Sequence, residues 1–270
     1  MDLGLGNATV VVSGGSKGMG RAAAEVMAGE GARLAILARG LDALDATTAA
    51  LRALGAPEAL AIPTDLTDRA QVDAAFARIG EHWGELNVLV NAAGPTDVGI
   101  ARRFNDVEDD EWHATFDIGT ISAARCARAA LPLLRKAAWA RIVNVSAHSV
   151  RRQSPELVAY TAAKAALTSF SKNLSLTLAG DGILVNTVSP GSFLSDGMKE
   201  YLRSLPPERQ IDPDDLHGVM RIIDEDFGHP SQLGRAALPA EIGPVIAFVG
   251  SRTNTYMTGA DINVDGGSDF

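Results

Sequence analysis

The chain has 270 residues, with 24 Lys plus Arg against 33 Asp plus Glu and a net charge of −9, a size that admits one large domain or two small ones. Apolar residues at 46% and charged residues at 21% exclude a disordered or collagen-like chain, and the acidic balance, without a run of five basic residues, points away from nucleic acid and anionic membrane. One cysteine, Cys126, and five histidines (His82, His113, His148, His217 and His229) at no metal-ligand spacing give no disulfide and no metal site, so the expectation is a cytoplasmic protein with a small-molecule partner.

From the N-terminus onward, short β-rich apolar runs alternate with Ala-rich helical patterns, as in a parallel sheet wrapped by helices. The spacing predicts a strand at 8–14, a helix at 18–29, a strand at 32–38, a helix at 41–54, a strand at 58–63 and a helix at 68–83. It continues with a strand at 87–94, a helix at 108–137, a strand at 140–147, a helix at 155–180, a strand at 182–190, a helix at 240–250 and a strand at 261–267. Several strands are continuously apolar, which suits strands covered on both faces. The helices are long enough for right-handed crossovers, and the first ends at Gly29-Glu30-Gly31, a glycine C-cap. No linker or internal repeat divides residues 1–270, so a single domain is expected. The segment 192–235 reads as a loop-like insertion, rich in Asp and Pro yet carrying Phe193, Met198, Tyr201, Leu202, Leu216, Met220, Ile222, Ile223 and Phe227; a long loop of this kind is expected to be a substrate lid. The opening MDLGLGN has no basic leader region, and no segment reaches the ~18 apolar residues of a membrane span.

The first strand runs into Ser13-Gly14-Gly15-Ser16-Lys17-Gly18-Met19-Gly20-Arg21 and then an Ala-rich helix. Strand, glycine turn and helix N-terminus together make an anion site, because glycines let the backbone approach a pyrophosphate and the unpaired N–H groups point at it. Lys17 precedes Gly18 and no Gly-Lys-Ser/Thr follows, which disfavours a Walker loop and favours a dinucleotide. The second strand ends Leu37-Ala38-Arg39-Gly40, with no carboxylate to accept from a ribose. Arg39 and Lys17 instead offer charge-assisted contacts to a 2′-phosphate, so NADP(H) is preferred over NAD(H).

Tyr160-Thr-Ala-Ala-Lys164 opens the helix after the fifth strand, and an i, i+4 pair shares one face. A nearby ammonium stabilises a phenolate, so Lys164 is expected to lower the pKa of Tyr160 into the range of a general acid/base.

With these motifs in hand, the chain resembles the short-chain dehydrogenase/reductase family in its single-domain form, across nearly its whole length. SGGSKGMG resembles the family's Thr-Gly-x-x-x-Gly-x-Gly motif with Ser13 in place of Thr. Asp65-Leu66-Thr67 resembles the adenine-contacting Asp, Asn91-Ala92-Ala93-Gly94 the fourth-strand motif, and Tyr160 with Lys164 the catalytic pair. Ser189-Pro190-Gly191 resembles the turn that approaches the nicotinamide, and Val264-Asp265-Gly266-Gly267 the C-terminal strand. The resemblance implies a doubly wound Rossmann sheet of seven parallel strands in the order 3-2-1-4-5-6-7, a homo-oligomer (dimer or tetramer), and hydride transfer at a carbonyl or alcohol carbon. In that scheme Tyr160 carries the substrate proton, and Lys164 holds the nicotinamide ribose and lowers the tyrosine pKa.

Two departures stand out. The family's catalytic Ser, thirteen residues before the Tyr, falls at Ala147, flanked by Ser146 and Ser149. Ser146 is favoured because it stays at the strand edge, although strand alternation lets it reach the site only with a local twist or bulge. The family's relay Asn aligns with Gly119, which marks a kink or a close approach. Arg102-Arg103 and Arg151-Arg152 are read as solubilising pairs, with a docking role for an acyl-carrier protein or coenzyme A as the alternative, and the acidic residues of 212–226 as a solvated rim. The expected function is an NADP(H) oxidoreductase acting on a ketone or secondary alcohol, bulky and hydrophobic to suit an apolar lid. The alternatives are a 3-oxoacyl-thioester reductase and a dinucleotide sensor with little turnover.

Overall fold

The computed structural model describes residues 2–95 and 102–268. Seven parallel strands form one sheet in the order β3-β2-β1-β4-β5-β6-β7: β1 is Thr9–Ser13, β2 Arg33–Ala38, β3 Ala59–Pro63, β4 Val88–Asn91, β5 Ala140–Val145, β6 Ile183–Pro190 and β7 Asp261–Val264. The expected order is the observed one. Register pairs Val10 with Leu34 and with Val88, and Val188 with Ile262. The reversal between β1 and β4 opens a crevice beyond the carboxyl ends of the strands, where open α/β sheets bind ligands.

The crossover helices are α1 (Gly18–Gly29), α2 (Leu41–Ala53), α3 (Arg69–Trp83), α4 (Asp109–Phe116), α5 (Ser122–Leu134) and α6 (Val158–Leu178), with α9 (Pro239–Val249) before β7. Val10, Val11 and Val12 are all fully buried, as consecutive residues must be when both faces are covered. Val10 and Val12 join Leu34, Ile36, Val90 and Val145 against Met27 of α1, Leu44 of α2 and Ile246 of α9. Val11 points the other way, with Leu37, Leu89 and Ile142, onto Phe76 of α3, Cys126 of α5 and Leu178 of α6. Cys126 is therefore a core residue, its thiol pushed up to about 12 by burial.

Apart from shifted ends, the elements depart from the expected ones at 108–137 and 192–235. The stretch 108–137 is broken by a π-turn, Asp117–Ile121, between α4 and α5. Gly119 is buried in it, and a Cβ there would stand 3.1 Å from Ala163 Cβ. The Thr120 hydroxyl meanwhile donates to the Ala163 carbonyl at 2.6 Å. The widened turn thus seats α4 and α5 on α6, and the close approach expected at Gly119 is present. The segment 192–235 is a folded cap, with α7 (Asp196–Ser204) and α8 (Leu216–Phe227). Ser195 accepts from Met198 N–H and Asp215 from Gly218 N–H, two N-caps that start these helices. Leu194, Leu202, Leu205, Val219, Met220, Ile222 and Ile223 form a separate small core inside the cap. The acidic residues are more than a solvated rim: Asp226 accepts from the Tyr201 hydroxyl at 2.6 Å and pairs with Arg209 at 2.9 Å.

Candidate functional site

At the end of β1 the chain turns under α1. Gly14 lies at φ +73°, and a Cβ there would stand 2.6 Å from Ala93 N. A Cβ on Gly20 would meet the Gly14 carbonyl at 2.5 Å. Only glycine permits this fold of Gly14, Ser16, Lys17, Gly18, Met19 and Gly20 around the start of α1, whose N-cap Lys17 makes no side-chain capping bond. The cradle is polar backbone with no acidic side chain in the first turn of α1, which fits an anionic group.

Arg39, at the end of β2, and Lys17 are exposed, and neither enters an ion pair among the described residues. At the end of β3, Asp65 is held by the Thr67 N–H and hydroxyl, which keep its carboxyl below the usual range, with Arg39 and Arg125 adding smaller electrostatic contributions. Leu66 beside it is buried. Two cations near the ends of β1 and β2 and a fixed carboxylate at the end of β3 thus surround one rim of the crevice.

A buried polar chain joins the next strands. The Ser13 hydroxyl donates to Asn91 Oδ1 at 3.1 Å, Asn91 Nδ2 donates to Asn144 Oδ1 at 2.8 Å, and Asn144 Nδ2 donates to Ser171 Oγ at 2.8 Å. Asn91 thereby ties β1 to β5 and α6. Asn144 and Ser171 are the partners that sequence reading missed; the signal was a second Asn at the matching register, since Asn91 pairs with Asn144. Ala92 and Gly94 follow β4 directly, and a Cβ on Gly94 would come 3.0 Å from Lys164 Nζ.

On α6, Tyr160 and Lys164 lie one turn apart on one face. Lys164 is 4% exposed and donates from Nζ to the Val145 carbonyl at 2.8 Å, at the carboxyl end of β5. Burial pushes its ammonium down to about 8. Tyr160 keeps part of its surface accessible but is ringed by protein, and desolvation pushes its phenol up to about 12. Burial is the one resolved cause of that shift, and the lowering expected from Lys164 does not enter it.

The two serines flanking Ala147 separate clearly. Ser146 faces α6, its hydroxyl donating to the Lys164 carbonyl at 3.1 Å and sharing a 2.8 Å bond with Thr168 Oγ1. Alternation accounts for this, because Ser146 extends the ladder of β5, its N–H donating to the Val188 carbonyl at 2.8 Å. Ser149, in the single turn His148–Val150, is 1% exposed and its hydroxyl has no hydrogen-bond partner among the described residues. A buried unpaired hydroxyl costs free energy and calls for a functional explanation. Beside it, His148 Nδ1 meets the Pro190 carbonyl at 3.1 Å and His148 Nε2 meets His229 Nδ1 at 2.9 Å. Pro190 closes β6, and the Gly191 N–H donates to the Val264 carbonyl at 3.0 Å.

The four arginines set aside in the sequence are occupied: Arg102 pairs with Glu111 at 2.8 Å, Arg103 with Glu156 at 3.1 Å and Arg151 with Asp261 at 3.4 Å, while Arg152 donates to the Ser268 carbonyl.

Residues 14–269 match the family described as enoyl-(acyl carrier protein) reductase. The chain belongs to the short-chain dehydrogenase/reductase family. The short-chain reductase protein NovJ of Streptomyces niveus is 30% identical over 95% of this chain and 92% of its own. The 3-oxoacyl-[acyl-carrier-protein] reductase FabG of Escherichia coli is 29% identical over 95% of each. Among solved structures, L-sorbose reductase from Gluconobacter frateurii, complexed with NADPH and L-sorbose, superposes with a TM-score of 0.90 at 27% identity, covering 100% of this chain and 99% of that one. The protein is thus an oxidoreductase of this family with a nucleotide-binding Rossmann fold, and among the described residues no helix is long and apolar enough to cross a membrane.

Proposed function

We propose that the protein is an NADP(H)-dependent reductase of ketones, working reversibly on secondary alcohols. The observation that carries this reading is Lys164 on the Val145 carbonyl at the end of β5, with Tyr160 one turn before it on α6 and, in the turn that follows β5, a buried Ser149 hydroxyl without a partner among the described residues. When bound, NADP(H) supplies or accepts the hydride. The backbone of Gly14, Ser16, Gly18, Met19 and Gly20 holds its pyrophosphate, Arg39 and Lys17 its 2′-phosphate, Asp65 and Leu66 its adenine end, and Asn91, Ala92, Gly94, Pro190 and Gly191 line its path to Tyr160.

Ser149 is our choice over Ser146 to donate to the substrate carbonyl oxygen, since the Ser146 hydroxyl is already committed to α6. Tyr160 gives the proton to that oxygen. A phenol pushed up to about 12 is protonated at neutral pH, the form that carbonyl reduction needs. Alcohol oxidation needs the phenolate and gains as pH rises. Lys164 holds the ribose and presents its charge to the phenolate.

A bulky apolar substrate was expected from the apolar lid, but most of those side chains pack on one another inside the cap and Phe193 packs on the main core. The groups around the strand ends are instead polar: Ser149 Oγ and Asp265 Oδ2 are buried without partners among the described residues, and an apolar substrate would leave them so, at about 1–3 kcal/mol each. A ketone with polar or hydroxyl substituents, of the kind named with the similar L-sorbose reductase, suits them better. The thioester-reductase reading keeps the similarity to the acyl-carrier-protein reductases, but its arginines are already paired within the protein.

The test is nicotinamide absorbance with NADPH and NADH over a panel of ketoses, hydroxyketones, alicyclic and aromatic ketones and acyl thioesters. NADPH oxidation highest with hydroxylated ketones supports the reading. Tight NADPH binding without turnover across the panel would make the protein a sensor.

A further inference from the structure

Between the cap and the strand ends lies a buried pair of histidines that the proposed chemistry does not use. His148 is 6% and His229 3% exposed, and the rings meet edge to face with centroids 4.8 Å apart. The Pro190 oxygen can only accept, so His148 Nδ1 carries the proton of the 3.1 Å bond between them. His148 Nε2 and His229 Nδ1 share a second hydrogen bond at 2.9 Å. Burial and the neighbouring His148 push His229 down to about 4, which keeps its ring neutral near pH 7. The result is one continuous chain that joins His229, His148 and the Pro190 carbonyl.

The residues joined come from three places. His229 follows α8, one residue past the Gly228 that ends the helix. His148 opens the turn that carries Ser149, and Pro190 ends β6 at the turn proposed to approach the nicotinamide. The cap has other ties to the same region. Ser192 Oγ donates to the His229 carbonyl at 3.1 Å, and Ser154 Oγ to the Phe227 carbonyl at 3.1 Å. The two legs of the cap are joined by Leu194 N–H to the Ala237 carbonyl and Ala237 N–H to the Ser192 carbonyl. Among these ties, the histidine chain continues past the turn of Ser149 to the end of β6.

We propose that His148 and His229 are positioning residues, a hydrogen-bonded strut that sets the turn of Ser149 and the Pro190–Gly191 turn in register with the cap. The functional half of this proposal rests on the reading of the site as an NADP(H) carbonyl reductase; the coupling itself does not. Reacting groups misplaced by an ångström lose a large part of their rate, so a strut that holds the turn of Ser149 and the nicotinamide turn together acts mainly on kcat.

The test is amide hydrogen exchange on the full-length protein without cofactor, alongside kinetics and NADPH binding. In His148→Ala, exchange rises at Gly191 and along α8 to Gly228. In His229→Ala, it rises at Arg151 and Arg152, whose amides donate to the His148 carbonyl. His148→Asn keeps a side-chain N–H near the place of Nδ1 but has nothing at the place of Nε2. It should therefore restore protection at Gly191 while α8 stays as exposed as in His148→Ala. In turnover, His148→Ala loses about tenfold in kcat with NADPH affinity changed less than about threefold, and His148→Asn recovers most of that loss. The double variant His148→Ala/His229→Ala matches His148→Ala, because the two residues act in one chain.

Exchange changes confined to the substituted loop in each variant, or His148→Asn no closer to wild type at Gly191 than His148→Ala, would overturn the strut. A wild-type protein that neither binds NADPH nor turns over the panel sinks the functional reading, while the exchange results still decide the coupling.

Discussion

The first half of the sheet meets its crevice with backbone and the second half meets it with side chains. At the end of β1 the shape is set by Gly14 and Gly20, where any Cβ would fall within 2.6 Å of main-chain atoms, and the exposed Lys17 and Arg39 complete it. At the ends of β5 and β6 the shape is set by Lys164 on the Val145 carbonyl, by Ser149, and by a histidine contact that spans 81 residues of sequence. A backbone cradle is rigid and indifferent to what is reduced, whereas a side-chain wall is where one member of a fold family acquires its own substrate. Substitutions in the two halves should therefore damage different constants.

The largest separation is expected from Tyr160→Phe. We expect kcat to fall by about 10³ or more, within the range of general acid/base catalysis, while calorimetry shows NADPH affinity within about threefold of wild type. A parallel loss of affinity would dissolve the distinction between the halves. Next is the serine pair. Ser149→Ala should lower kcat by about 10²–10³, the usual loss for an oxyanion-type donor. Ser146→Ala should leave kcat within about threefold and cost about 1 kcal/mol of stability for its lost bonds to Lys164 and Thr168. Steady-state kinetics with urea melts read both; a silent Ser149→Ala returns the role to Ser146. In the first half, Ala38→Asp with Arg39→Leu should reverse the ratio of kcat/KM for NADPH over NADH by about 10²-fold, since charged hydrogen bonds contribute about 1.5–3 kcal/mol each. A wild type that already prefers NADH contradicts the assignment of Arg39 and Lys17.

The same contrast decides what was legible in the sequence. The seven strands were readable because buried parallel strands are runs such as Thr-Val-Val-Val and helices carry a different period. The glycine turn was readable because only glycine satisfies its geometry, and local spacing reports it. The cap helices were missed: Ser195 and Asp215 are ordinary N-caps, but Asp and Pro around them resemble loop composition. Neither the direction of Ser146 nor the contact of His148 with His229 could be read. One depends on whether β5 bulges after Val145, the other on how a cap 81 residues away folds back. Desolvation of Tyr160 and Lys164 was equally hidden, because burial is a property of the assembled layers, whereas the i, i+4 spacing is local.

That desolvation supplies the smallest and most discriminating prediction. The Lys164 ammonium is pushed down to about 8 from 10.5 by burial, so the folded protein holds this proton less tightly than the unfolded chain does. Stability rises with pH wherever the unfolded state binds more protons. The cost of Lys164 is therefore complete below about pH 8, is relieved as pH climbs from about 8 to 10.5, and is gone above that. The shift corresponds to about 3 kcal/mol, against which the bond to the Val145 carbonyl returns about 1 kcal/mol. Lys164→Met, which fills similar space without a charge, should then be more stable than wild type by about 2 kcal/mol at pH 7, a rise in Tm of several degrees. The advantage should shrink as the pH is raised toward 10, and the variant should be inactive. Chemical denaturation across that pH range measures it. A Lys164→Met protein less stable than wild type at pH 7, with the gap independent of pH, would show that Lys164 is held by its packing and hydrogen bond, and that the second half of the site carries no buried electrostatic strain.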